Sequence, residues 1–533
     1  MITIETMYND VIGGFSTEYP MIEYYKGNKK RYIYKRDYQK KIKAIAATLE
    51  RELAGIEKGR FVGIKHETHP FWLAVFYALE MIGYRVMFLD EKATAKTLEN
   101  CIQLGNLAAI VGMEKEEYPV RNIVFEQVIK EKEGCPKQIC WADMLCLCTS
   151  GTTGIAKAIV FKADTIIRIQ RVVRSTLIGH SCSISSFENL KIDQMKVLAT
   201  LPMRHVFGFQ TPSVYLGFGA TLVFPKNQGV LELVRTIRED KIWMTYGVPA
   251  LWKALFNIYK NQTDNICEET FHKFFGEQFT NGLIGGAKID EDMKHFLKRV
   301  DFKMANTYGS TETGGCISYC YLTEEKSMKG NPGYTGKLFN SHRAGVINSS
   351  EEWNAEGKGE LAIKGLNIYD GILKDGEFVS RKEAYGELLH TGDIFTIQGE
   401  DFYCMGRADH MIINDAGENI YVEELEEDFS FLKEKTNQYV AVGMNNKPIL
   451  VLYGETINEE KLIEEILETN LKLPHYKRIE NAYFVSSKLP VTSKNEVDRK
   501  RLEETLRIRK QKDESSVRLY HLRKTRKNGK MGV

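Results

Sequence analysis

The sequence predicts an α/β protein: a large N-terminal domain of parallel-rich sheets with helices, followed by a small α+β C-terminal domain. Three observations carry that expectation. Helical and strand-like patterns alternate from residue 36 onward, as they do where crossover helices join parallel strands. The chain has 533 residues, too many for one core at roughly 150 residues per domain. Near Gly406–Asp409 the pattern changes to a short α+β unit, so the expected divisions are 1–406, 407–505 and a basic tail, 506–533.

The elements can be read in order. Tyr38, Ile42, Ile45, Leu49 and Leu53 recur at helical spacing, and Phe61-Val62-Gly63-Ile64 reads as a buried strand. A helix at 69–82, a strand at Tyr84–Phe88, a helix near 94–104 and a strand at Leu107–Val111 continue the alternation. The apolar run Met144–Cys148 enters a Gly/Thr-rich segment, after which Ile159-Val160-Phe161 resumes a strand. Later strand signals, Gly359–Ile363 and Phe402–Cys404, are shorter. Beyond Gly406 the pattern gives strands near 439–443 and 449–453, a helix near 458–470 and a strand at Ala482–Ser486.

Composition narrows the function. A chain 43% hydrophobic and 27% charged is globular, not disordered or disulfide-stapled. Lys plus Arg number 73 against 71 Asp plus Glu, so no global field exists to hold a polyanion, and nucleic acid is not an expected partner. Residues 507–533 hold ten Lys/Arg and two Asp/Glu, a net +8 that leaves −6 on the body. With few apolar residues to bury, the tail is expected to be a solvated extension; docking to an acidic carrier protein is the functional alternative. An RNA or membrane tether is disfavoured by the acidic body. The start lacks an export signal, and the longest apolar stretch, Phe71 to Gly83, carries Glu80 and is too short to span a bilayer. The ten cysteines are then reduced thiols of a soluble cytoplasmic protein. Neither Cys135, Cys140, Cys146 and Cys148 nor Cys316 and Cys320 has the repeated spacing of a structural zinc site.

Chemistry concentrates in a few segments. Thr149-Ser150-Gly151-Thr152-Thr153-Gly154-Ile155-Ala156-Lys157 offers hydroxyls, glycines whose N–H groups can approach a ligand closely, and a terminal cation. That is a phosphate cradle, though not a Walker loop, which needs GK[ST]. Alone, such a loop is more often a plain turn. It is followed, in order, by Asn306-Thr307-Tyr308-Gly309-Ser310-Thr311-Glu312-Thr313, Leu389-His390-Thr391-Gly392-Asp393 and Gly406-Arg407-Ala408-Asp409.

With these motifs in this order, the chain from about residue 20 to residue 505 resembles the adenylate-forming (AMP-binding) superfamily of acyl-CoA synthetases, peptide-synthetase adenylation domains and luciferases. The resemblance implies that Thr149, Ser150, Gly151, Thr152, Thr153, Gly154 and Lys157 hold the β and γ phosphates of ATP, although Ala156 and Ala158 replace the usual Pro and Gly. Gly286 and Ala287, in Gly285-Gly286-Ala287-Lys288, would border the adenine and acyl pocket. Tyr308 would stack on adenine, Thr311 would contact the α-phosphate, Glu312 would bind Mg2+, and Asp393 and Arg407 would hold the ribose hydroxyls. His205 matches a family histidine beside the carboxylate and the pantetheine tunnel. Relatives that activate amino acids carry F-D-x-S, absent here, so a carboxylic acid without an α-amino group is favoured.

The resemblance also implies that the C-terminal domain is mobile, turning about Asp409 to present the Gly417 loop for thioester formation. One departure is serious. The family pattern L-P-x-T-x-x-G-K-x-x-R falls on Leu489–Arg499 with Asn495 for Gly and Glu496 for the catalytic lysine. Either Lys494 or Lys500 substitutes, Lys494 being the catalytic candidate, or adenylation is crippled. The expected function is an ATP-dependent carboxylic acid ligase that forms an acyl adenylate and passes the acyl group to coenzyme A or a carrier protein's phosphopantetheine. The alternative, motivated by Glu496, is a catalytically impaired acyl-adenylate- or nucleotide-binding protein.

Overall fold

The structure, a computed structural model, describes residues 2–522 apart from 114–117, 151–155, 182–194, 287–288, 290, 329–332, 340–342, 349, 415–418, 456, 493–496 and 513–516. The chain forms two compact units. The larger comprises Met1–Ala344, Ile363–Leu389 and Glu400–Phe402; the smaller comprises Gly345–Ala362, His390–Gly399 and Tyr403–Val533.

The larger unit carries the expected alternation. One eight-stranded sheet runs, edge to edge, Glu377–Ser380, Gly371–Lys374, Ala156–Lys162, Met144–Ser150, Arg85–Phe88, Phe61–Lys65, Ala109–Gly112, Arg121–Val124. From Met144–Ser150 to Arg121–Val124 every pair is parallel, and crossover helices such as Trp72–Met81 and Ala95–Gly105 supply the connections. Trp72–Met81 is buried along its whole length, as a helix apolar all round must be. The preceding helix, Lys35–Glu52, buries Tyr38, Ile42, Ile45 and Leu49, the positions read from the spacing.

The second set of strands holds the later motifs. Asn281–Gly285 and Lys303–Ser310 are parallel neighbours, with Gly285 opposite Thr307, and Lys303–Ser310 pairs antiparallel with Gly315–Tyr321. The first five residues of the segment Asn306–Thr313 lie within the strand Lys303–Ser310. Glycine permits this, because a Cβ on Gly309 would stand 1.9 Å from the Gly315 carbonyl oxygen. Behind these strands lies a core containing Trp252, Phe256, Tyr259, Phe271, Phe296 and Phe302.

In the smaller unit, a four-stranded sheet runs Gln438–Met444, Lys447–Tyr453, Asn481–Val485, Val517–His521. Alternation with period two divides its side chains. Ala441, Leu450, Leu452 and Phe484 pack with Leu462 and Ile466 of the helix Glu459–Lys472. Val440, Val442, Val451 and Tyr483 pack with Leu502 and Leu506 of the helix Arg499–Lys512.

The last two elements correct the reading of the tail as a solvated extension. The helix continues through 506–512, Val517–His521 adds an antiparallel edge to Asn481–Val485, Tyr520 packs edge-on against Phe484 at 5.3 Å, and Leu522 is buried in the core. The few apolar residues between the basic ones suffice because they meet a sheet edge that supplies backbone partners. Among the described residues no helix is long and apolar enough to cross a membrane.

Candidate active site

In the larger unit the Gly/Thr loop hangs from an antiparallel pair, with Ser150 opposite Ala156 and Thr149 opposite Lys157. Residues Gly151, Thr152, Thr153 and Gly154 lie outside the described residues. The strand ends fix the loop's two anchors, and Lys157 is exposed at the second.

Tyr308 lies half-buried on the strand Lys303–Ser310, and Thr311 and Glu312 begin the turn that follows it. That turn is locked by Thr313, a residue to which the sequence assigned no role. Its hydroxyl accepts from the Ser310 N–H at 2.8 Å and donates to the Gly315 carbonyl at 2.7 Å. A second brace comes from distant chain: the Tyr369 N–H donates to the Glu312 carbonyl at 2.8 Å. The neighbouring Asp370 carboxylate accepts from the Lys162 N–H at 2.7 Å and from the Thr165 hydroxyl at 3.0 Å. The Glu312 turn and the strand leaving the phosphate loop are thereby tied to one segment. Burial raises the Asp370 pKa.

His205 is exposed and stands at the N-cap of the helix Val206–Gly217. Its N–H donates to the Pro202 carbonyl at 3.1 Å, and a Cβ on Gly208 would come within 2.0 Å of that oxygen, so glycine allows the helix to start against the loop. Arg204 Nη1 donates to His205 Nε2 at 2.7 Å, while the same guanidinium is paired with Asp90 at 3.0 Å and with Glu91. Thr68 holds the loop from the other side: its hydroxyl donates to the Leu201 carbonyl at 3.1 Å and accepts from the Met203 N–H at 3.2 Å. Next to it, burial lowers the His69 pKa to about 4. The helix is anchored outward by Phe209, whose ring lies 4.9 Å from Phe88 and 5.2 Å from Phe76.

In the smaller unit Asp393 and Arg407 meet as an ion pair: Arg407 Nη1 donates to Asp393 Oδ1 and to the Thr391 carbonyl, each at 3.1 Å, and Nε donates to Asp409 Oδ1 at 3.1 Å. Glu360, unnoticed in the sequence, accepts from the Gly392 N–H at 2.9 Å and shapes this turn. Val491 and Val497, which flank Lys494 and Glu496 in sequence, pair in an isolated bridge. Beyond it, Arg499 pairs with Glu426 at 2.6 Å. Lys494, Glu496, Gly417 and Ala287 themselves lie outside the described residues, whereas Gly286 is described, exposed and at φ +86°.

A profile of the AMP-binding enzyme family matches residues 16–373, and the chain belongs to that family. The 2-succinylbenzoate–CoA ligase of Bacillus subtilis (strain 168) is 25% identical over 385 residues, covering 70% of this chain and 72% of that protein. The mitochondrial medium-chain acyl-CoA ligase ACSF2 of Homo sapiens is 24% identical, over 67% of this chain and 56% of its own length. Among solved structures, the o-succinylbenzoate CoA synthetase MenE of Bacillus subtilis with its acyl-adenylate intermediate OSB-AMP superimposes at a TM-score of 0.76. It is 18% identical and covers 94% of this chain and 98% of the other. The same enzyme is known in complex with ATP and magnesium ion, also at 0.76 and 18%. Family and relatives together define a carboxylic acid–thiol ligase, and the fold agrees with them.

Among the described residues no three or more His, Cys, Asp or Glu gather as a metal cluster. A single half-buried carboxylate, Glu312, beside the Thr311 hydroxyl suits Mg2+, which keeps water and substrate phosphates as its other ligands. The donor set fits the ion.

Proposed function

We propose that this chain activates a small carboxylic acid lacking an α-amino group and transfers it to coenzyme A, with the phosphopantetheine of a carrier protein as the other candidate acceptor. The support is the convergence, within the larger unit, of the His205 helix start, the Gly285–Thr307 strand pair and the Tyr308–Glu312 turn. In the first half-reaction a carboxylate oxygen attacks the α-phosphorus and the bond to pyrophosphate breaks. In the second a thiolate attacks the acyl carbon and AMP leaves.

Each group has work that its chemistry suits. Thr149, Ser150, Gly151, Thr152, Thr153, Gly154 and Lys157 take the β and γ phosphates; Thr311 donates to the α-phosphate, where negative charge develops. Tyr308 gives adenine an aromatic face, and Asp393 accepts from the ribose hydroxyls, with Arg407 orienting it. His205 faces the substrate carboxylate, with Arg204 donating to its Nε2. Glu312 would hold Mg2+, which when bound supplies charge neutralisation on the phosphates. The protein is assigned to the cytoplasm, where its thiols stay reduced.

Lys494 supplies the cation that Glu496 does not. Acid-dependent exchange of labelled pyrophosphate into ATP, run over a panel of acids, tests the reading. Exchange with at least one acid, abolished in Lys494→Ala, is expected. Exchange that is absent in the natural protein and appears in Glu496→Lys would establish the impaired alternative instead.

A further inference from the structure

The helix Val206–Gly217 has a second use. Phe207, Gln210, Thr211, Val214 and Tyr215 share one helical face and line a pocket in the larger unit, closed opposite by Leu283, Tyr319 and Phe339. It lies among the three motifs just assigned: Phe207 is two residues past His205, Leu283 two before Gly285, and Thr307, also in its wall, adjoins Tyr308. Among the described residues no charged side chain lines it.

Two of its polar side chains already have partners. Thr307 donates to the Ile284 carbonyl at 3.2 Å and the Cys316 thiol to the Ser318 carbonyl at 3.0 Å. Gln210 differs. It is 4% exposed, and its Oε1 accepts from the Cys316 N–H at 3.2 Å, which fixes the amide with the nitrogen on the other side. That Nε2 is buried and has no hydrogen-bond partner among the described residues. A buried amide donor without an acceptor is costly, and one on the wall of a pocket is placed to be completed by what enters the pocket.

We infer that this pocket holds the body of the acid and that Gln210 Nε2 donates to an oxygen on it. The substrate class is then a monocarboxylic acid whose uncharged, preferably aromatic body carries a ketone, ether or hydroxyl oxygen. The rings of Phe207, Tyr215, Tyr319 and Phe339 offer faces and edges to an aromatic group, and a second carboxylate would be buried there without a counter-charge. Gln210 is thus a specificity-determining residue. The inference rests on the ligase reading above and deepens it.

Pyrophosphate exchange by the full chain with MgATP tests it on matched acids. These are 4-oxo-4-phenylbutyrate against 4-phenylbutyrate, 4-methoxycinnamate against 4-ethylcinnamate, and 2-succinylbenzoate, which adds a ring carboxylate to the first. At least one oxygen-bearing acid should exceed its isostere roughly tenfold or more in kcat/KM, and 2-succinylbenzoate should trail 4-oxo-4-phenylbutyrate by a similar factor. Gln210→Leu should bring the oxygen preference close to one. Because each ratio is taken within one enzyme, a general loss of activity cancels. If Gln210→Leu does not fold, Gln210→Glu keeps the acceptor for Cys316 and should disfavour the oxygen-bearing acid. A ratio unchanged in the variant, a preference for the oxygen-free isosteres, or a preference for 2-succinylbenzoate overturns the inference while the ligase reading stands. No exchange with any acid overturns both.

Discussion

Asp393 shows what a residue can reveal in sequence and what it cannot. Its type and its place before Arg407 were legible, because a carboxylate is the natural acceptor for a diol. That Arg407 would be its ion-pair partner, 3.1 Å away, was not, since thirteen residues lie between them in sequence. Asp393→Ala should weaken nucleotide binding roughly ten- to a hundredfold, the loss of a charged acceptor worth ~1.5–3 kcal/mol; calorimetry with AMP checks it, and unchanged affinity would remove the assignment. Thr313 and Gln210 were illegible for the same reason in stronger form: their partners, the Gly315 carbonyl and the Cys316 N–H, are backbone atoms that carry no residue signature. His69 gives a pH prediction. Burial holds its pKa near 4 in the folded chain against about 6.5 unfolded. Below pH 6.5 the unfolded state therefore binds a proton that the folded state refuses, and stability falls as the pH drops toward 4, by on the order of 3 kcal/mol from this group. His69→Gln should lose less of its urea midpoint between pH 7 and 5 than the natural protein does; an equal loss would place the acid sensitivity elsewhere.

At the scale of elements, periodic patterns long enough to average over their neighbours were read well. Lys35–Glu52 and Trp72–Met81 are examples, because burial of a stripe, or of a whole helix, repeats along the element. Short elements made by long-range pairing were not. Val517–His521 is a strand because the edge of Asn481–Val485 offers it partners, and nothing within Val517-Arg518-Leu519-Tyr520-His521 announces that edge. The consequence is testable. Truncation after Lys512 should uncover Phe484 and remove Leu522 from the core of the smaller unit, so limited proteolysis should cut between 403 and 512 faster than in the full chain. Unaltered protection would return 513–533 to the status of a dispensable tail.

For the whole molecule the order of motifs carried the most information, since four short segments at long separations point to a family that none points to alone. The family match over residues 16–373 spans the first two of them. The two-step chemistry makes a prediction about the chain as a unit. Asp409 sits in the short turn Ala408–His410, and Asp409→Pro fixes its φ; thioester formation should fall at least tenfold more than adenylation, measured as separate half-reactions. Equal losses, with native circular dichroism, would count against a pivot there. An isotope reports directly on whether the acid is activated as an acyl adenylate. With the carboxylate labelled with 18O, ATP, Mg2+ and coenzyme A, one labelled oxygen should appear in the phosphate of AMP for each thioester formed. Label in inorganic phosphate, or AMP released without label, would contradict the account.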